Sequence, residues 1–132
     1  RSLLDVDGRI RIKSHHEAVG VETSTSGVVT IDLAEANSFT VTIKETITQF
    51  TLKNPPADAS SFTLAVSQDS TGGYAVGIDT FKDSGGSAIP VYWSGSVVPI
   101  VTTTASKTDI YSFITFDGGS TLYGVPAGQN FG

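Results

Sequence analysis

The 132-residue chain has no cysteine, no methionine, a single tryptophan and two histidines that stand side by side. Without cysteine there is no disulfide framework, no thiolate metal site and no thiol nucleophile, so packing, oligomerisation or both must supply stability. Without an initiator methionine at Arg1, the chain is expected to be a processed product or the C-terminal piece of something longer. Cations are also scarce: eight Lys and Arg against 13 Asp and Glu give a net charge of -5. Such a chain has no broad positive field to hold nucleic acid. No apolar run approaches the roughly 20 residues of a membrane span, and the start lacks the basic-then-apolar profile of a signal peptide. Membrane insertion is not expected.

What is present is strand-forming sequence. Val29, Ile31 and Leu33 alternate with Thr30 and Asp32; Phe39, Val41 and Ile43 alternate with Thr40, Thr42 and Lys44; Phe62, Leu64 and Val66 alternate with Thr63, Ala65 and Ser67. This period of two marks half-buried strands. Ile47 to Leu52 continues the pattern with a phase slip near Gln49-Phe50 that predicts a bulge, and Tyr74 to Phe81 reads as a further strand. Pro90 places its strand at a start or an edge. Leu33 to Asn37, the one helical candidate, is too short to be more than a turn.

Asp109 to Phe116 carries apolar residues in both phases, with Ile110, Ile114 and Phe116 on one face and Tyr111 and Phe113 on the other, so it is expected to be buried on both. Asp117-Gly118-Gly119 then supplies the positive φ of a tight hairpin, leading into a partner strand over Ser120 to Val125. Further turn signals stand at residues 35–38, 54–58, 69–73 and 83–86. Short strands with such frequent turns predict an all-β fold: a single antiparallel β-sandwich or jelly-roll-like domain over residues 20–132. Residues 1–19 are set apart as a connector strand, in which Ile10 and Ile12 alternate with Arg9, Arg11 and Lys13 and need a neighbour to cover them. An edge strand of the same sheet explains that segment equally well.

Several of these elements resemble, in order, the C-terminal end of a family of structural proteins of tailed bacteriophages, especially fibre and tail proteins of marine phages. They are Tyr92-Trp93-Ser94-Gly95, residues 101–106, the strand over residues 109–116, Asp117-Gly118-Gly119, Tyr123-Gly124 and Gly128-Gln129-Asn130-Phe131. Upstream, residues 29–33, 37–43 and 62–69 extend the resemblance to roughly residues 20–132. Leu122 stands where the family has a second aromatic, and the chain ends in Gly132 directly after the Phe. The resemblance implies a virion structural protein located in the tail or tail fibre of an extracellular particle. It further implies a homotrimer that contacts other virion proteins and a host-surface glycan or protein, with no catalytic role. A capsid decoration or scaffold domain that binds coat protein is the alternative.

Candidates for chemistry each have a structural explanation. His15 and His16 point to opposite faces of a strand and cannot chelate one ion together, and no metal site or cofactor is expected. No nucleophile elbow, P-loop or zinc-protease motif occurs. Asp79, Asp83, Asp109 and Asp117 are the only set to weigh as a glycosidase carboxylate pair. Asp83 and Asp117 open glycine turns, where Asp is favoured for bonding the backbone, and Asp79 and Asp109 read as solvated strand positions. Binding is the more natural task. Tyr74, Tyr92, Trp93 and Tyr123 lie at or near turns, where an aromatic ring can stack on a sugar while its polar edge stays wet. A lone tryptophan beside an apolar strand is more often a core plug.

Overall fold

The computed structural model describes residues 4–132. Among them are ten β-strands and no helix beyond one 3-10 turn, Ser94–Ser96. The strands are β1 (Val19–Glu22), β2 (Val28–Asp32), β3 (Ser38–Ile43), β4 (Gln49–Lys53), β5 (Ser60–Gln68), β6 (Phe81–Asp83), β7 (Ala88–Ile89), β8 (Val91–Trp93), β9 (Thr108–Thr115) and β10 (Leu122–Phe131). They form a six-stranded sheet of order β1-β3-β5-β9-β10-β8 and a four-stranded sheet of order β2-β4-β6-β7.

All-β character is as expected, but the sheets are mixed rather than antiparallel. From β1 to β6 the chain crosses to the opposite sheet at every connection and returns in the same direction. Strands two apart in sequence therefore pair parallel: β1 with β3, β3 with β5, β2 with β4 and β4 with β6. The result is a flattened coil. Its first three crossings, residues 23–27, 33–37 and 44–48, are each five residues long. Glu45 ties two of them together by accepting hydrogen bonds from Ser24 Oγ and the Gly27 amide. Antiparallel pairing returns in the second half, where β9 lies between β5 and β10 and β7 folds back on β6.

Alternation decides which side chains meet in the middle. Phe39, Val41 and Ile43 of β3, Phe62, Leu64 and Val66 of β5, and Tyr111 and Phe113 of β9 are buried on one sheet. Opposite them stand Val29, Ile31, Phe50, Leu52, Phe81 and Ile89 of the four-stranded sheet, and all belong to one core. Phe81 bridges the two sheets, 6.3 Å from Phe62 and 5.0 Å from Phe113 between ring centroids. The phase slip before β4 is real: the amides of Thr48 and Gln49 both converge on the Gly27 carbonyl, and Ile47 and Phe50 are both buried. Pro90 precedes β8, an edge strand, as its missing amide requires.

Three expectations are corrected. Tyr74 to Thr80 is irregular, with only Val76 bridging to Ile47, because Gly72, Gly73 and Gly77 interrupt any ladder there. The second face of β9 is only half covered: Ile110 and Ile114 are half-buried, and Phe116 is 68% exposed. The connector strand expected within residues 1–19 does not form over residues 4–18, which are exposed throughout, and residues 1–3 lie outside the described residues.

Candidate functional site

The half-covered outer face of β9, β10 and β8 carries the most aromatic surface. Tyr123 on β10 stands opposite Ile114 on β9 and Tyr92 on β8, so the three side chains form one row across three strands. The rings of Tyr92 and Tyr123 lie 6.0 Å apart, and Phe116, at the end of β9, sits 6.1 Å from Tyr123 in an edge-on contact. Tyr92, Tyr123 and Phe116 remain 59%, 46% and 68% exposed. A groove of about 350 Å³ runs along this row between Tyr92, Ser94, Tyr123 and Val125. Sequence alone does not single out Phe116, because its phase matches Ile110 and Ile114, which the pattern predicts to be buried. Its position directly before Asp117-Gly118-Gly119 was the available signal, since a strand end at a turn is seldom covered.

Trp93 lies beneath the row, not in it. It is 7% exposed and packs edge-on against Tyr111 and Phe113. Gly124 makes this possible: a Cβ at that position would stand 2.6 Å from Trp93 Cζ3. The Tyr123-Gly124 pair thus places a ring outside and leaves a gap inside that the indole fills. Its Nε1 is buried without a hydrogen-bond partner. Tyr74 is elsewhere, half-buried in the loop after β5 and fixed there by Gln68. The Gln68 side chain donates from Nε2 to the Tyr74 carbonyl at 2.8 Å, and the Tyr74 backbone amide donates back to Gln68 Oε1. Of the four expected residues, the fold therefore brings together Tyr92 and Tyr123, sets Trp93 under them and leaves Tyr74 apart.

The carboxylates sort differently. Asp83 Oδ1 accepts from the amides of Gly85 and Ser87, and Asp117 Oδ1 accepts from the Thr121 amide and the Thr115 hydroxyl. Both act in turns, as their sequence context indicated. Hydrogen bonding to Thr121 leads the causes that hold the Asp117 carboxyl below its ordinary value. Asp109 is the surprise, at 1% exposure instead of in solvent. Its Oδ2 accepts from the Thr102 amide at 2.8 Å, the Tyr111 hydroxyl at 2.8 Å and Gln129 Nε2 at 3.0 Å, while Oδ1 accepts from the Asn130 amide at 2.8 Å. Burial pushes this carboxyl up, but the Thr102, Asn130 and Gln129 hydrogen bonds together outweigh burial and hold it below the ordinary value. Burial, followed by the hydrogen bond to Asp109 and then its charge, pushes the Tyr111 phenol up.

This network gives Gly128-Gln129-Asn130-Phe131 a physical meaning. Asn130 adopts positive φ, the pairing of β10 with β9 shifts register on both sides of Gly128, and the Gln129 side chain turns in towards Asp109. A Cβ on Gly128 would stand 2.4 Å from Phe131 Cζ, so the glycine admits the ring against the backbone. The motif is a clasp.

Among the described residues no three His, Cys, Asp or Glu side chains gather where a metal ion could be held, and no helix is long and apolar enough to cross a membrane. What the outer row can do is stack: flat, partly wet aromatic faces without a carboxylate among them suit the apolar face of a sugar ring or an apolar peptide side chain. Comparison with protein-family models, with curated proteins and with solved structures finds no match for this chain.

Proposed function

We propose that this chain is a non-enzymatic structural domain of a bacteriophage virion, the C-terminal part of a tail-fibre-like protein that works as a trimer in host-surface attachment or fibre capping. The observation that carries the binding part of the reading is the exposed row of Tyr92, Tyr123 and Phe116, whose rings contact one another on the outside of the sheet. Surface aromatics grouped in this way mark an interaction site more often than scattered apolar residues do. The virion part rests on the sequence resemblance, and its most specific motifs have structural roles that fit a scaffold: Gly128 to Phe131 as clasp, Asp117 to Gly119 as hairpin turn and Tyr123-Gly124 over Trp93. We read the two facing sheets as a β-sandwich and not a jelly roll, since a jelly roll pairs its strands antiparallel and β1 to β6 pair parallel.

An array of bacterial surface polysaccharides, probed with the whole chain and with Tyr92→Ala and Tyr123→Ala, tests the binding. Binding that falls about tenfold or more in both variants is the expected result, given the 1–3 kcal/mol typical of a lost stacking partner. Binding that both variants retain would remove the row from the reading. Light scattering across a dilution series tests the assembly: a persistent mass of three chains is expected. A persistent monomer that instead binds assembled capsids would favour a decoration protein.

A further inference from the structure

Residues 9–13 have the sequence of a strand but lie outside both sheets. Among the described residues, 4–16 make no hydrogen bond at all, and Leu4, Ile10 and Ile12 are 82%, 63% and 60% exposed. At the nearby end of the coil β1 and β2 are the outermost strands of their sheets; on β2 the Val28 backbone is bonded to Thr25 and the Asp32 carbonyl accepts from the Glu35 amide, which leaves the edge around Thr30 between them.

The coil itself says where such a strand belongs. Val19 of β1 pairs with Ser38 of β3, and Val28 of β2 pairs with Gln49 of β4, so the two turns nearest the arm are 19 and 21 residues, and the later two, from Ser38 to Thr63 and from Phe50 to Phe81, are 25 and 31. Counting back from β2 by 19 sets Ile10 beside Val29, Ile12 beside Ile31 and Lys13 beside Asp32. Counting back by 21 sets Ile10 beside Ile31 and Arg11 beside Asp32. Both offsets are odd, so in either register the isoleucines join the core face, where Val29 and Ile31 are fully buried, and a cation meets Asp32. A Lys or Arg there would add a second cation beside Asp32, which stands in register with Lys53 on its other side.

Charge favours the same placement. Arg9, Arg11 and Lys13 stand together with no carboxylate between them, while this end of the coil carries Glu22, Asp32 and Glu35. The Glu22 carboxyl is pushed up by burial and then by Glu35 and Asp32.

We propose that residues 9–13 of one copy pair in parallel with the free edge of β2 in a second copy, adding one strand to its four-stranded sheet. The segment is detached from its own body in this structure, so the occupant that makes the same contacts is the same segment from another chain. This deepens the assembly part of the function proposed above by naming the element that joins the copies.

Because the chain has no cysteine, introduced thiols report without background. Arg11→Cys and Thr30→Cys chains, mixed and oxidised, are expected to form a linked pair in about tenfold greater yield than either variant alone, as a raised effective concentration predicts. Arg9→Cys replaces Arg11→Cys if the longer register holds. Adding Ile10→Asp and Ile12→Asp to the arm should abolish the link, and these exposed substitutions leave folding intact. Two results would overturn the proposal: a Thr30→Cys mixture with neither arm variant exceeding the single-variant controls, or a double variant that closes within one chain on dilution. The two proposals separate cleanly. A trimer without these links overturns the exchange and leaves the fibre reading standing; linked copies without polysaccharide binding do the reverse.

Discussion

The two ends of this chain are held in opposite ways. Both carry alternating or spaced apolar residues, Ile10 and Ile12 at one end and Val125 and Phe131 at the other. The last residues run as β10 along β9 and are fixed by Gln129 and Asn130 to a buried carboxylate, whereas residues 4–16 make no hydrogen bond. Apolar content does not explain the contrast. The C-terminal end meets an edge with open backbone groups and a buried acceptor that needs donors, while the N-terminal arm has the sequence of a strand without a place in its own body.

The largest break of that contrast comes from Asp109→Ala. It leaves the amides of Thr102 and Asn130 without their acceptor, at about 1–3 kcal/mol for each orphaned donor. Urea unfolding followed through Trp93, the only tryptophan, is expected to show a loss of about 3 kcal/mol or more. Asp109→Asn, which keeps one acceptor oxygen, should fall between the variant and the parent.

Gly124→Ala should follow in size. The new Cβ meets a buried indole 2.6 Å away that cannot move aside, and overpacking of this kind costs about 1–3 kcal/mol. Acid sharpens the comparison further. The folded carboxyl of Asp109 lies below its ordinary 3.8, so its contribution is present above that pH and is lost as pH falls through the lowered value. The urea midpoint of the parent should therefore drop as pH falls below about 4, with a shallower drop in Asp109→Asn. Tyr111 has the converse sign. Its raised phenol favours the fold below about pH 10, and that support is lost as pH rises towards the folded value.

Gly128→Ala should cost about 1 kcal/mol or less, because the Phe131 ring that it strikes is half exposed and can swing outward. The smallest effect belongs to the arm. Removing residues 1–18 should leave the unfolding midpoint of a dilute sample within about 0.5 kcal/mol of the parent, while reducing the assembled mass seen by light scattering.

Alternation was enough to find β2, β3, β5 and β9, because a period of two reports which side of a strand is buried whatever lies beside it. It says nothing about neighbours, and so the parallel winding of β1 to β6 was not legible. Frequent glycine turns suggested hairpins, yet most of the early turns carry the chain across the core to the other sheet. Asp109 could have been found. It shares its phase with Tyr111 and Phe113, so a strand with those two inside has the carboxylate inside as well. Its hydrogen-bond partners stand 20 residues later, and only the folded chain shows why the charge is tolerated. Tyr92 and Tyr123 were legible as surface aromatics near turns; their adjacency depends on the register of β8 with β10, which no local pattern encodes.

The flattened coil also bears on how such a domain changes size. Successive turns span 19, 21, 25 and 31 residues, and each meets the next through the same parallel pairing, with no hairpin to re-register. Duplication of one turn between β2 and β5 would lengthen both sheets by a strand and leave the clasp, the hairpin and the aromatic row untouched. Growth and loss by whole turns are thus open to this architecture at one end, while the other end stays constant.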